Sequence, residues 1–472
     1  MKPTPLRYLI ALFLLILTTN TGWSQQSDIP ASVREQDPAD EIGKLKKNCF
    51  HHMMGCAEVL FTGQPVHIAV GTIAPQNGVA GGFAFVHHKT LTNWLINSNS
   101  DAVASGNGSW RAGVYIKLVD TRQPDIAPVM GTQGSDTNPT ELPEQPVINI
   151  YAQTISLNQI SYFGLGETSQ ESGRTFYGMR ETIAGISGVR TIYHPAHISL
   201  YGEINGRWTS IRGRHGQSSP SIEQVYNETT APGLSNQPGF LQPGIGLRIL
   251  PSFRNDLFHL NYDVAYRPYF AVSDSRFSFQ RFTANLSHQI SLYRNVIRTE
   301  LPRETNGPDD CSTDPAAEHP SCPKATTRNL EGSLGVTLFT TLSTTQGSGV
   351  VPFYFQPTLG GADINGNPSL SSYQDYRFRA PNLLLIRENF EHSIWKLPVG
   401  FVLLADQGKL ALTPTGLGPA GWRHSFATGL TLRAGGFPQV YLMFAWGGKE
   451  GTHFLANINS SLLGASPRPS LF

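Results

Sequence analysis

Charge is scarce in this chain. Only 15% of its 472 residues are Asp, Glu, Lys or Arg, and the 35 basic and 34 acidic residues leave a formal net charge of +1. Nucleic-acid binding needs a basic patch or stripe, and this balance argues against one, so no nucleic-acid partner is expected. Long apolar runs are missing too. Leu9 to Leu17 is too short to cross a bilayer, and no later run approaches the roughly eighteen residues that a spanning helix needs. A membrane form of the mature chain would therefore be a barrel. Enzyme signatures fail as well. There is no Gly-x-Ser-x-Gly elbow, and Gly416-Leu-Gly418-Pro-Ala-Gly421 matches a dinucleotide pattern in which Pro419 blocks the helix start. Asp363-Ile-Asn365-Gly366-Asn367 resembles a calcium loop with a misplaced glycine and no closing Glu. No catalytic residue, metal site or cofactor is expected.

What is present begins with an export signal. Lys2 and Arg7 precede the apolar run, and Gly22-Trp23-Ser24 offers the small residues that a signal peptidase requires, so residues 1–24 read as a signal peptide. Residues 25–77 form a short segment facing the periplasm or the lumen. In an oxidising compartment the four cysteines would close locally, Cys49 with Cys56 and Cys311 with Cys322, the second pair stapling a Pro/Asp-rich loop. His51, His52, Met53 and Met54 lie inside the first pair, soft ligands of the kind that hold copper or zinc, but clean zinc spacing is absent and the favoured reading is a small disulfide loop with exposed histidines.

From about Gly78 onward, polar and apolar residues alternate. Phe282, Ala284, Leu286, His288, Ile290 and Leu292 alternate with Thr283, Asn285, Ser287, Gln289 and Ser291. Period two puts one set on each face of a strand. Similar alternation recurs at Ala112 to Leu118, Phe258 to Tyr266, Leu334 to Leu342 and Val440 to Trp446. A soluble sandwich would also alternate, but its strands are shorter, and here short turns alternate with long loops and aromatics gather near strand ends. The expectation is an all-β fold, with residues 78–472 forming one transmembrane antiparallel β-barrel of about 16 strands. A long loop precedes the last five of them. The strand list includes 350–359 and leaves Val66 to Ile73 open as either an extra strand or an entry segment. It also puts the stapled loop and the 360–378 excursion on the same side.

The stretch Phe353 to Leu410 carries the most information. A strand is expected at Phe353 to Leu359, then a Gly-, Asn- and Ser-rich excursion, the segment Tyr373-Gln374-Asp375-Tyr376-Arg377-Phe378, and strands at Leu383 to Glu391 and Val399 to Ala405 closed by Asp406-Gln407-Gly408-Lys409. This order of parts resembles the bacterial surface-antigen superfamily of outer-membrane barrels, which holds BamA, TamA and the two-partner-secretion transporters. Tyr162-Phe163-Gly164-Leu165-Gly166 with Arg174-Thr175-Phe176-Tyr177 resembles a strand-turn-strand signature of a branch without POTRA domains, and Gly447 to Asn457 resembles the closing hairpin.

The resemblance, carried by Phe353 to Leu410, implies that the long loop folds inward and that its Arg-Gly-aromatic tip docks on acidic and glycine positions of the next strands. Here Ser371-Ser372-Tyr373 stands at the tip, without its arginine and glycine, and Arg377 or Arg379 is the candidate substitute. The implied docking set is Tyr373, Arg377, Glu388, Asp406 and Gly408; the plainer alternative leaves Arg377 and Glu388 solvated in a wet lumen. The resemblance also implies a bacterial outer-membrane location, outer-membrane lipid and polypeptide clients as partners, and a role in translocation or insertion without enzymatic activity. A gated or passive pore and a membrane-embedded hydrolase, for which His288 is the odd residue, are the alternatives.

Overall fold

The computed structural model describes residues 66–121, 146–216, 218–253, 257–300, 324–394, 397–434, 437–448 and 450–458, together with 469 and 471. The expected signal peptide and Cys49, Cys56, Cys311 and Cys322 lie outside these residues. The strands in order are β1 (Val66–Thr72), β2 (Val79–Leu91), β3 (Trp94–Ser105), β4 (Trp110–Asp120), β5 (Val147–Tyr162), β6 (Thr175–Tyr193) and β7 (Ile198–Gly213). Then come β8 (Phe240–Ile249), β9 (Ser252–Phe253), β10 (Phe258–Ala271), β11 (Phe279–Glu300), β12 (Lys324–Thr345), β13 (Thr358–Leu359) and β14 (Phe378–Arg379). The last five are β15 (Asn382–Ser393), β16 (Val399–Ala411), β17 (Arg423–Ala434), β18 (Phe437–Gly448) and β19 (Gly451–Ile458). Among the described residues the only α-helix is the single turn Ile222–Val225, and no helix is long and apolar enough to cross a membrane.

One antiparallel sheet holds seventeen of these strands, and since β9 is a two-residue fragment, sixteen are substantial. Each pairs with the next along the chain, with β8 passing to β10 and β12 to β15. The remaining pair, β13 and β14, forms its own small ladder in the connection between β12 and β15. An even count of alternating strands brings Val66 and Ile458 to the same rim.

Alternation explains the two faces. Val114, Ile150, Ile186, Ile204, Ile245, Leu430 and Phe444 are all large, apolar and exposed. Such a surface suits lipid and would be a liability in water. The opposite face carries Arg111 with Asp101, Arg207 with Glu181 and Arg433 with Glu391, all buried. Charges of this kind persist away from bulk water only when paired.

Two strand assignments differ from the sequence reading. Phe353 to Leu359 is not a barrel strand, because Phe353, Tyr354 and Phe355 are all buried and form one turn of 3-10 helix, leaving only Thr358–Leu359 extended. Three consecutive buried aromatics leave no solvent or lipid face. Conversely, Val66–Thr72 pairs in register with Val79 to Phe85, so the sheet begins by Val66 rather than at Gly78. These differences offset each other in the count but not in the topology. Glu300 of β11 and Lys324 of β12 pair at one end of these strands, whereas the 346–381 connection leaves the other end of β12, so the excursion lies at the rim opposite that pair; the stapled loop expected at 301–323 lies outside the described residues.

The sheet rolls around the 346–381 connection, which we call the plug. Phe353 lies edge-on to Tyr162 of β5 and Tyr177 of β6, with centroids 5.2 Å away in both cases. Phe355 meets Phe240 of β8 at 5.1 Å and Tyr269 of β10 at 5.3 Å. The Tyr376 hydroxyl donates to the Pro75 carbonyl, between β1 and β2, at 3.0 Å. The Ser372 amide donates to the Ser425 hydroxyl of β17 at 2.8 Å. A segment touched from strands this far apart in the sheet sits inside a barrel-shaped wall.

Candidate functional site

The plug and its anchors are the candidate site. Its first half is an aromatic wedge. Arg379 donates to the Phe353 carbonyl at 2.8 Å and to the Tyr177 hydroxyl at 3.3 Å, and Arg281 donates to the Phe355 carbonyl. Its second half turns back at Gly360 and Gly361, whose φ values of 107° and 62° suit glycine. A Cβ on Gly361 would lie 2.5 Å from the Asp375 amide nitrogen, so the glycine also permits a close backbone crossing.

Asp406 on β16 is the best-formed anchor. Its carboxylate accepts two hydrogen bonds from Arg387 of the neighbouring β15, at 2.8 and 2.9 Å, and the backbone amide of Leu370 at 2.9 Å. Arg387 also donates to the Pro368 carbonyl. A fork-shaped guanidinium can hold the wall carboxylate and a plug carbonyl together, which an ammonium point charge does less well. Leu370 itself has φ 44° and is fully buried, as is Tyr376 at φ 60°. Left-handed backbone at a non-glycine residue costs about 1 kcal/mol or more and persists where the surroundings enforce it.

The remaining members of the expected set are placed as follows. Gly408 lies inward under the plug, and a Cβ there would come within 2.9 Å of Leu359 Cδ2. The bare backbone thus lets Leu359 settle among Leu370, Phe378, Leu383, Leu385 and Leu410. Tyr373 is buried, with its ring edge-on to Phe378 at 5.3 Å and Gly448 against its far side. Arg377 reaches neither Glu388 nor Asp406. It pairs with Glu450 from the β18–β19 turn and donates to the hydroxyl and carbonyl of Ser169, in the β5–β6 turn, at 3.0 and 2.9 Å. Its guanidinium also lies over the Phe163 and Phe378 rings. One side chain thereby ties together turns from the first and last thirds of the described sheet.

Glu388 must be reassigned. It is exposed and opposes Val336 and Ala405 in register, on the face opposite Arg387 and the buried Glu391. Adjacent strand residues point to opposite faces, so a one-residue error in facing moves the charge from lumen to lipid side. The sequence signal was weak because Leu383, Leu384, Leu385 and Ile386 are all apolar. One face of that run packs on the plug and the other looks outward, so alternation disappears. Ser169, Leu370, Arg387, Ser425 and Glu450 were missed. Arg387 was legible as the basic neighbour of the assigned Glu; a backbone amide or a turn serine carries no such mark.

Burial raises the carboxyl of Asp375 above the ordinary range, against the opposing amide of Ala362 and the charges of His453 and Arg174. Asp363 is also raised by burial, although it accepts the amides of Asn365 and Asn367 at 2.9 and 2.8 Å. Those bonds close an Asx-type turn and occupy the carboxylate from within. Among the described residues, no group of three or more His, Cys, Asp or Glu side chains is assembled in a way that could hold a metal ion. His288 lies on the outer face, bonded to the Tyr262 hydroxyl at 2.7 Å and stacked on Phe258.

No family model matches the chain, and no curated protein matches it. Solved structures with a similar fold include CdiB from Acinetobacter baumannii, at 12% identity over 84% of this chain and 60% of that one, with a TM-score of 0.44. BamA from Haemophilus ducreyi lacking POTRA domains 1–3 is 10% identical over 83% of this chain and 69% of that one, with a TM-score of 0.47. CdiB from Escherichia coli is 11% identical over 81% and 58%, with a TM-score of 0.44. This chain therefore spans about three-fifths of the CdiB chains. At such identities the similarity concerns the fold and defines no activity. The chain's own registers, with the plug touched from strands far apart in the sheet, define the class as an all-β, barrel-shaped sheet around an internal plug.

Proposed function

We propose that this chain is a bacterial outer-membrane barrel of the surface-antigen type, working in translocation or insertion of polypeptide or lipid, with outer-membrane lipid and polypeptide clients as partners and no enzymatic step. The apolar outer face and the export signal expected at residues 1–24 support the location. The observation that carries the role is the docked plug: the resemblance implies an inward-folded loop seated on acidic and glycine positions of the next strands, and here the 346–381 connection is seated on Asp406 and Gly408 of β16. In this reading the seam between the first and last strands is the working edge, where unpaired backbone donors and acceptors can template an incoming strand. The expected disulfides, Cys49 with Cys56 and Cys311 with Cys322, would staple segments outside the membrane.

A gated pore is the second reading, favoured by the plug itself. Its polar anchors on Asp406, Ser425 and Glu450 can exchange for water, as a gate requires. The test reconstitutes the full chain in lipid vesicles and adds a small unfolded outer-membrane barrel as client, following client folding by gel mobility without heating. Faster folding than in protein-free vesicles, lost when engineered cysteines crosslink β1 to β19, supports the translocation and insertion reading. Ion conductance with no effect on client folding would replace it with the pore.

A further inference from the structure

The last strand ends at Ile458, at the rim opposite the plug, yet Leu471 is buried against the inner wall. Its carbonyl accepts from the Arg207 guanidinium at 3.0 Å, and its amide donates to the Asn365 side chain of the plug at 2.9 Å. Both hydrogen-bonding groups of one peptide residue are therefore held, one by the wall and one by the plug. The leucine joins the buried apolar cluster that includes Ile364, Phe240, Tyr269 and Phe355.

The wall side of this contact is firmly built. Arg207 is 3% exposed, and it is held by Glu181 at 2.8 Å and by Gln242 at 2.6 Å. Gln242 in turn donates to Glu203, which accepts from Arg267. Glu181 balances the guanidinium's charge while one of its N–H groups points at a backbone carbonyl. A guanidinium donor for a backbone carbonyl, a side-chain oxygen that accepts the amide of the same residue, and an apolar socket between them are the recognition elements for a peptide bearing a large aliphatic side chain. They select for no particular sequence beyond that residue.

We propose that Arg207, Asn365 and the surrounding apolar cluster form a lumenal peptide-binding site, that its ligand class is an extended polypeptide segment with a large aliphatic residue, and that residue Leu471 occupies it in cis. Leu471 thus links plug to wall, and a client segment would compete with it. This deepens the translocation reading by naming what the lumen holds, but peptide binding is measured without any insertion assay, so the two stand or fall separately.

The test uses the full chain in detergent micelles and a fluorescent synthetic peptide with the sequence of residues 459–472. Wild type, its site filled, should bind the peptide at least tenfold more weakly than Leu471→Asp, whose internal segment is expelled by a buried charge. Leu471→Asp combined with Arg207→Gln should lose that gain, and a peptide carrying Asp in place of Leu should not bind. Equal binding by wild type and Leu471→Asp, or undiminished binding by the double variant, overturns the proposal. Unheated gel mobility reports whether each variant is folded. Should Leu471→Asp fail to fold, an Asn365→Cys/Leu471→Cys pair decides instead: a disulfide between the two positions, mapped by mass spectrometry in folded protein, supports the proposal, and its absence refutes it.

Discussion

Substituting Asp406 by Ala should loosen the plug without dismantling the wall. Asp406 and Arg387 sit on adjacent strands, so their ion pair exists whether or not the plug is docked. What docking adds is the Leu370 amide on the carboxylate and the Pro368 carbonyl on Arg387. A hydrogen bond to a charged group is worth about 1.5–3 kcal/mol. The Asp406 side chain is 2% exposed, so little water replaces the lost acceptor for Leu370, and we take about 2 kcal/mol. At 1.4 kcal/mol per factor of ten, the undocked population should rise by a factor of about 30. Asp406→Asn keeps a neutral acceptor and should fall between the two. Single-channel recording in planar bilayers reads the undocked state as open time, and limited proteolysis of 360–378 reads it independently. Open time and cleavage rate for Asp406→Ala indistinguishable from wild type would refute the assignment of Asp406 as an anchor.

Three further outcomes follow from the same geometry. Gly408→Ala should force Leu359 aside and weaken docking by about 1 kcal/mol, and adding Leu359→Ala should make the glycine's loss nearly silent in a double-mutant cycle of conductance. Glu388→Leu should leave conductance unchanged and stabilise the barrel by about 1 kcal/mol in urea titrations, since it removes a carboxylate from the lipid side; increased opening would return Glu388 to the lumen. Burial raises the Asp375 carboxyl, so its contribution to docking is complete below the ordinary value of 3.8 and is lost as pH rises through the raised one. Open time should therefore grow with pH across that window, and Asp375→Asn should flatten the profile.

The alternating strands were legible because lipid outside and polar groups inside impose period two, as Phe282 to Leu292 shows. The plug was legible as an excursion before the last five strands, and Asp406 and Gly408, named from the resemblance as closing a strand that ended at Ala405, lie inside β16, which runs on to Ala411. Legibility failed where two apolar environments meet. Around Leu383 to Ile386 the wall faces lipid on one side and the plug on the other, and Glu388 was placed on the wrong face. At Phe353 to Phe355 the same loss of alternation made a buried aromatic turn look like a strand. Arg377 was expected to reach Glu388 or Asp406, whereas its partners Ser169 and Glu450 come from turns brought together only by the rolling of the sheet. Local pattern carries no information about that closure.

The central claim is that the 346–381 connection is docked inside an outer-membrane barrel, and Ser372→Cys/Ser425→Cys tests it most directly. The Ser372 amide lies 2.8 Å from the Ser425 hydroxyl, close enough to place the two residues side by side. In protein extracted from outer membranes and folded by gel mobility, the pair should form a disulfide, suppress conductance, and release it on reduction. Folded protein in which the two cysteines stay apart, or protein absent from the outer membrane, would contradict the account.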